Sequence, residues 1–242
     1  MRIFEENISE KDARILLSDE NTKHVSKVMR KTEGDIITVC DGRGLDFECV
    51  IEESGRDGTL CRVLSVSEST GELPFEVTVY AALSKGDRFE TLIQKCVELG
   101  AAVIVPFSSE NCVVKLDAKE RIKKAERYRK IARDAGKQSG RGVLPKVEEI
   151  VTFEEAAEKA AQKGLALFLY ECEELNTVKM RLDGKMPSSL AIVSGPEGGF
   201  SKIEAVLAEK AGLLPTTLGK RILRCETAPM AALAAVCGIL EC

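Results

Sequence analysis

The chain has 242 residues, with 35 Lys or Arg against 39 Asp or Glu, one histidine, nine cysteines and a formal net charge of −4. That balance argues against a protein that coats nucleic acid indiscriminately, and the lone His24 excludes a histidine metal cluster and leaves a Ser-His-Asp triad one poor candidate. No apolar run approaches the ~20 residues that span a bilayer. The opening Met1-Arg2-Ile3-Phe4-Glu5-Glu6 lacks the apolar region of a signal peptide, so a cytoplasmic location is expected, with no membrane partner. Cys40, Cys49, Cys61, Cys96, Cys112, Cys172, Cys225, Cys237 and Cys242 form no C-x-x-C pair and mostly sit in apolar runs. They read as buried free thiols of a reducing compartment, with neither disulfide nor zinc.

Residues 1–70 read as a small β domain, with strands at Ile36–Cys40, Asp46–Ile51 and Thr59–Leu64 and a turn at Asp41-Gly42-Arg43-Gly44. Before the first of these strands lies an acid-free basic stretch with Lys23, His24, Lys27, Arg30 and Lys31. Ser67–Pro74 is polar and reads as a linker. From residue 74 to 242 strands alternate with helices. A strand at Phe75–Leu83 precedes a helix that Asp87 and Glu90 can cap and Gly100 ends. Val103–Val105 is the next strand, and a basic helix follows over Ala118–Lys137 with Ile122, Ala125, Tyr128, Ile131 and Ala132 as its apolar stripe. Lys115–Lys146 holds twelve Lys or Arg against four acids. One such run is commonly a solvated helix face, whereas two patches on an acidic chain favour an anionic polymer partner.

Short strands near Lys146–Val151, Leu165–Tyr170 and Leu190–Ser194 alternate with a helix at Phe153–Lys163. This β-α-β-α order implies an α/β class with a mostly parallel sheet, whose ligands bind beyond the carboxyl ends of the strands. Gly195 and Gly219 fall there. Ser201 with Glu204 forms a capping-box pattern ahead of Ile203, Val206 and Leu207, so a helix is predicted from Ser201. The last helix covers Ala228–Leu240 and is apolar on nearly every side, which suits the core or, preferably, a subunit interface.

The segment Ser194-Gly195-Pro196-Glu197-Gly198-Gly199-Phe200-Ser201 lets backbone approach a ligand where a Cβ would collide. It is neither G-x-G-x-x-G nor a P-loop, so NAD and ATP hydrolysis fit poorly. Two tasks are open to Glu197, a catalytic carboxylate or a brace that bonds local backbone, and the brace is the commoner. Leu218–Ala228 repeats the strand, bend and helix plan, and Arg221 or Arg224 can pair with phosphate or carboxylate.

These residues resemble the bacterial small-subunit ribosomal RNA methyltransferase E family of the SPOUT superfamily, over almost the whole chain. The resemblance rests on His24-Val25-Ser26-Lys27-Val28-Met29-Arg30 with Gly34-Asp35, and on Lys85-Gly86-Asp87-Arg88, Gln94-Lys95, Glu98-Leu99-Gly100 and Pro106. It continues in Gln138-Ser139-Gly140-Arg141 and Pro145, and is most specific in Gly195–Phe200 and Leu218–Ala228. Met29, Gly140 and Cys225 are small departures from the family pattern.

The resemblance implies a PUA-like β-barrel over 1–70, a SPOUT-type domain with a trefoil knot over 74–242, and a homodimer without a metal. It implies methyl transfer from S-adenosylmethionine to N3 of a uridine in 16S ribosomal RNA, free or in the assembled small subunit. Cofactor contacts are expected at Leu169, Tyr170, Glu171, Gly195, Pro196, Glu197, Gly198, Gly199, Leu218, Gly219, Ile222, Leu223, Thr227 and Ala228. Arg224 is expected to orient substrate or stabilise the uridine anion, with Glu226 the candidate base. Lys23, His24, Lys27, Arg30 and Arg141 are expected to hold RNA. A non-catalytic assembly factor, or a SPOUT enzyme for tRNA or another rRNA position, remain the alternatives.

Overall fold

A computed structural model describes residues 2–55 and 58–240; Cys242, expected as a buried thiol, lies outside the described residues. The chain divides into two compact units, one holding the residues up to Glu72 together with Gly136–Leu144, the other Leu73–Ala135 and the chain from Pro145 onward.

The first unit opens with β1 (Arg2–Phe4), β2 (Arg14–Leu16) and α1 (Asp19–Lys23), which runs into a π-helical turn at His24–Val28. The strands β3 (Ile36–Cys40), β4 (Leu45–Gly55) and β5 (Gly58–Glu68) follow, in the sheet order β1-β3-β4-β5-β2. Only β1 and β3 pair in parallel. Alternation along β4 sends Phe47, Cys49 and Ile51 into a core with Val25, Ile37 and Val39, while Glu48 stays exposed. The expected turn at Asp41 forms because its buried carboxylate accepts the Arg43 and Leu45 amides at 2.7 and 3.0 Å, with Gly42 at φ 70° and Gly44 at φ 111°.

Neither α1 nor the π turn was anticipated by apolar periodicity. Ser18 caps α1 through the Asn21 amide, and Asn21 is buried on the carbonyl of Phe4. Just beyond the turn, Arg30 holds φ 53°, the one non-glycine residue in the left-handed region among those described. Such a backbone costs about 1 kcal/mol or more.

The second unit carries a parallel sheet of seven strands. In chain order its elements are β6 (Glu76–Ala82), α2 (Arg88–Glu98), β7 (Val103–Ser108), α3 (Ala118–Ser139), β8 (Lys146–Val147), β9 (Val151–Thr152) and α4 (Phe153–Ala161). Then come β10 (Leu165–Leu169), α5 (Val178–Leu182), β11 (Ser189–Ser194), α6 (Lys202–Lys210), β12 (Leu214–Thr216) and α7 (Thr227–Leu240). The sheet order is β12-β10-β11-β6-β7-β8, with β9 also on β7. β11 therefore enters between β10 and β6, after both have been made. Five residues of β10 and five of β11 are buried on both faces, as a helix-covered parallel sheet requires.

Three local expectations are corrected. Asp87 precedes α2 but makes no capping hydrogen bond with its side chain, and Glu90 is spent on Arg127. Ile122 stands 58 % exposed, because the buried face of α3 is Ala125, Tyr128, Ala132 and Ala135. Ile203 and Val206 point outward from α6, whose inner face is Ala205, Ala208 and the buried Glu204. The helix α7 buries Pro229, Ala232, Leu233 and Val236, while Ala234 and Ile239 stay exposed.

In the first unit, Arg141 is 3 % exposed and its Nε and Nη2 donate to the Glu72 carboxylate at 2.5 to 3.0 Å. The same carboxylate accepts the Gly142 and Val143 amides. Burial pushes the Glu72 carboxyl up, but Arg141 and those two amides more than offset it and hold it below its ordinary 4.5. A depressed folded value adds stability above pH 4.5 that is lost as pH falls through the lowered value. Arg141→Ala leaves this half-buried carboxylate with only its two amides, and is expected to cost the first unit about 1–3 kcal/mol. Chemical denaturation at neutral pH and at pH 3 checks both the loss and its shrinking in acid.

Candidate functional site

The register of the parallel sheet brings the loops to one edge. Ser194 lies opposite both Leu169 and Ala81, Leu169 opposite Thr216, and Ala81 opposite Pro106. The strands β6, β7, β10, β11 and β12 thus end together, and their following loops converge where α/β sheets take ligands.

Phe200 fixes the glycine loop to the core. It is 7 % exposed, with ring centroids 4.5 Å from Phe168, 5.3 Å from Phe153 and 6.4 Å from Phe107. A Cβ on Gly195 would lie 2.9 Å from the Phe200 ring, so the aromatic anchor needs glycine at that position. Gly199 has φ 69°, and a Cβ there would meet Glu171 Oε1 at 2.2 Å. At Gly198 a Cβ would come within 3.1 Å of Asn111 Cβ, whose Nδ2 donates to the Gly199 carbonyl at 3.1 Å and the Gly198 carbonyl at 3.4 Å.

The expected capping box is present. Ser201 Oγ accepts the Glu204 amide at 3.2 Å, and Glu204 Oε2 accepts the Ser201 amide at 2.9 Å. Its other oxygen accepts the Glu110 amide at 3.0 Å, so one buried carboxylate ties the loops after β7 and β11. Glu197 reaches a third loop, where Oε1 accepts the Lys85 amide and the Arg88 guanidinium, each at 3.1 Å. Burial raises the Glu197 carboxyl, but the Lys85 amide and Arg88 outweigh it and leave the group below its ordinary value. Glu197 braces the bend onto a distant segment as well as onto its own backbone amide.

The second loop is open where the first is braced. Gly219 has φ 99° and nothing within 4 Å of the position of a Cβ, and its amide donates to Thr217 Oγ1 at 3.2 Å. Leu218 and Leu223 are half-buried, while Arg221, Ile222 and Arg224 are exposed, Ile222 by 92 %. The Thr227 and Ala228 amides both bond the Arg224 carbonyl at 2.9 Å, so these two expected contacts have no free N–H. Cys225 donates to Glu226 Oε2 at 3.3 Å. Burial, joined by that Glu226 bond and the charge of Glu197, pushes the Cys225 thiol up to about 11. The buried hydroxyl of Ser84 faces the Cys225 thiol, and that of Ser109, after β7, is buried without a hydrogen-bond partner among the described residues.

The expected cofactor residues therefore share one edge. Leu169 closes β10, Tyr170 stacks on Phe168 at 5.6 Å, and Glu171 borders Gly199; Pro196 is buried. Asn111 and Ser84 complete the edge and were not singled out from sequence, while Glu204, expected only as half of the capping box, also ties two of its loops. The available signal was the polar run Ser108-Ser109-Glu110-Asn111 directly after an apolar strand. Among the expected RNA contacts, Lys23, His24, Lys27 and Arg30 follow one another along α1, the π turn and the bend after it, all exposed but the half-buried His24. Arg141 does not fit that role, because its guanidinium is buried against Glu72.

The fold and this edge define an RNA methyltransferase-type chain. A family model described as an RNA methyltransferase domain matches residues 71–237, and one described as an RNA methyltransferase PUA domain matches 17–64. A ribosomal RNA small subunit methyltransferase E of Bacillus subtilis is 36 % identical, over 91 % of this chain and 88 % of its own length. One from Synechocystis is 35 % identical, over 95 % and 75 %. The crystal structure of a ribosomal RNA small subunit methyltransferase E from Neisseria gonorrhoeae, bound to S-adenosylmethionine, superposes with TM-score 0.85 at 31 % identity, covering 98 % of this chain and 97 % of that one. The chain belongs to the ribosomal RNA small subunit methyltransferase E family, with a SPOUT-type α/β unit and a PUA-like β unit.

Removing the aromatic anchor by Phe200→Ala is expected to cost about 3–5 kcal/mol. Urea unfolding of the second unit, followed by near-UV dichroism, checks it; a loss below 1 kcal/mol would show that the ring does not hold the loop.

Proposed function

We propose that the chain transfers the methyl group of S-adenosylmethionine to N3 of one uridine in 16S ribosomal RNA, as a cytoplasmic homodimer. The observation that carries this reading is the converged edge, with Gly195 packed too closely on the Phe200 ring for a side chain, Gly199 and Gly219 at positive φ, and a buried Ser109 hydroxyl without a partner among the described residues. An edge of this kind suits a ligand with many polar atoms, recognised by backbone. The Gly198, Leu218 and Leu223 amides carry no bond among the described residues and are available to such a ligand. Residues 74–242 would hold cofactor and reacting base, and residues 1–70 the flanking RNA. The entry of β11 between β10 and β6 suits the trefoil-knotted path that the family resemblance implies.

The cofactor supplies an activated sulfonium methyl, so alignment of acceptor, methyl and sulfur is the main demand on the site. Around it, Leu169, Tyr170, Glu171, Gly195 to Gly199 and Leu218 to Ala228 would form the cradle. The new N3–carbon bond forms as the methyl leaves sulfur, and the N3 proton must go to a base. Glu226 is the candidate acceptor, with the Cys225 thiol on one of its oxygens. The exposed Arg224 guanidinium would stabilise charge building on uridine O2 or O4. N3 lies on the Watson–Crick edge, so the uridine must be unpaired before attack. Lys23, His24, Lys27 and Arg30 would then grip flanking phosphates.

Primer extension on 16S rRNA tests the reading, because N3-methyluridine blocks pairing and stalls reverse transcriptase. A stop that persists after deletion of the gene would remove this chain from that role. Gly198→Val forces a branched side chain against Asn111 and is expected to abolish S-adenosylmethionine binding in calorimetry while the first unit stays folded; normal affinity would contradict a backbone-lined cradle. Lys27→Ala with Arg30→Ala is expected to flatten the salt dependence of RNA binding by about 1–2 units of log-log slope, with cofactor affinity unchanged.

A further inference from the structure

The helix α3 carries nine Lys or Arg against three acids, in a chain whose net charge is −4. Its cations divide by surroundings. Arg127 pairs with Glu90 at 2.8 Å, Arg129 bonds Glu149 and the Val147 carbonyl, and Lys124 lies 5.8 Å over the Tyr128 ring. The two arginines lash the helix to its own unit, and Lys124 is spent within the helix. Lys119, Lys123 and Lys130 are exposed and have neither ion pair nor hydrogen bond among the described residues.

At 3.6 residues per turn these three lysines fall within an arc of about 40°, opposite the buried Ala125, Tyr128, Ala132 and Ala135. They extend over about 16 Å of helix, room for several backbone phosphates. Glu126 and Asp134 flank the stripe on either side, so three positive charges meet two negative ones. Lys119 and Lys123 are i,i+4 neighbours of like charge, an arrangement that costs an isolated helix about 0.2–0.5 kcal/mol. Folding gains nothing from it, whereas a polyanion would.

We infer that the outer face of α3, through Lys119, Lys123 and Lys130, is a second RNA-docking surface, carried on the second unit and separate from the basic segment at Lys23 to Arg30. It takes phosphate backbone without reading bases, since ammonium groups on flexible stems act as point charges. This rests on the RNA substrate proposed above.

The experiment measures the salt dependence of binding to naked 16S rRNA, to tRNA and to assembled small subunits, for wild type, the triple variant Lys119→Gln, Lys123→Gln, Lys130→Gln, and the triple Lys→Arg variant. Release of counterions from three phosphates makes the log-log slope on naked 16S rRNA shallower by about 2 in the Gln variant, while the Arg variant keeps the wild-type slope. If the enzyme prefers tRNA, the same change is expected there, and the 16S assignment fails while this surface stands. A wild-type slope in the Gln variant would overturn the docking surface, as would weakened binding confined to assembled subunits, which indicates a protein partner. Calorimetric S-adenosylmethionine affinity should match in all three proteins, which separates loss of RNA docking from damage to the cofactor edge.

Discussion

The packing of Phe200 into the rings of Phe107, Phe153 and Phe168 is the constraint on which the rest of the site depends. The ring seats the far end of the glycine loop in the core, and Gly195 is the near end, lying against that same ring. Between two fixed ends, Pro196 to Gly199 has little freedom. Within it the Gly199 amide donates to the Pro196 carbonyl, and its other contacts come from neighbouring segments of the edge: Glu197 with Lys85 and Arg88, the carbonyls of Gly198 and Gly199 with Asn111, and Gly199 against Glu171. A loop without regular structure thereby gains the rigidity that orienting a reactant demands.

Charge is distributed with the same economy. Carboxylates that the fold needs are engaged whatever their depth: half-buried Glu72 on Arg141, buried Glu204 on two amides, and exposed Glu197 on Arg88 and the Lys85 amide. Several arginines are consumed by such pairs, while the basic segment before β3 and the outer face of α3 keep lysines in solvent. An acidic chain can thus present positive surfaces locally, because the interaction with a polyanion depends on nearby charge within a Debye length rather than on the total.

Where periodicity is local, the fold was legible in the sequence. The boundaries of β3, β6 and β11, both ends of α7 and the capping box at Ser201 follow from two-residue or helical repeats and from cap chemistry. Tertiary context decided the rest. Ile203 reads as core but stands outside, since Glu204 and the small Ala205 and Ala208 let α6 sit close to the sheet. The helix α1 and its π turn escaped because their stability comes from Ser18 and from Asn21 on the Phe4 carbonyl, not from an apolar stripe. Arg141 read as a phosphate ligand because its partner Glu72 is 69 residues away in the chain. The glycines of the site were visible, but Asn111 and Ser84 were not, having no signature beyond a polar residue after a strand. Likewise the strand order, with β11 entering between β10 and β6, has no local trace.

A crystal structure of the chain grown with S-adenosylmethionine tests the central claim most directly. The account predicts the cofactor in contact with backbone of Gly195 to Gly199 and of Leu218 to Leu223, with its methyl directed toward Arg224 and Glu226. Cofactor bound away from this edge, or a fully ordered edge with no cofactor at saturating concentration, would contradict it.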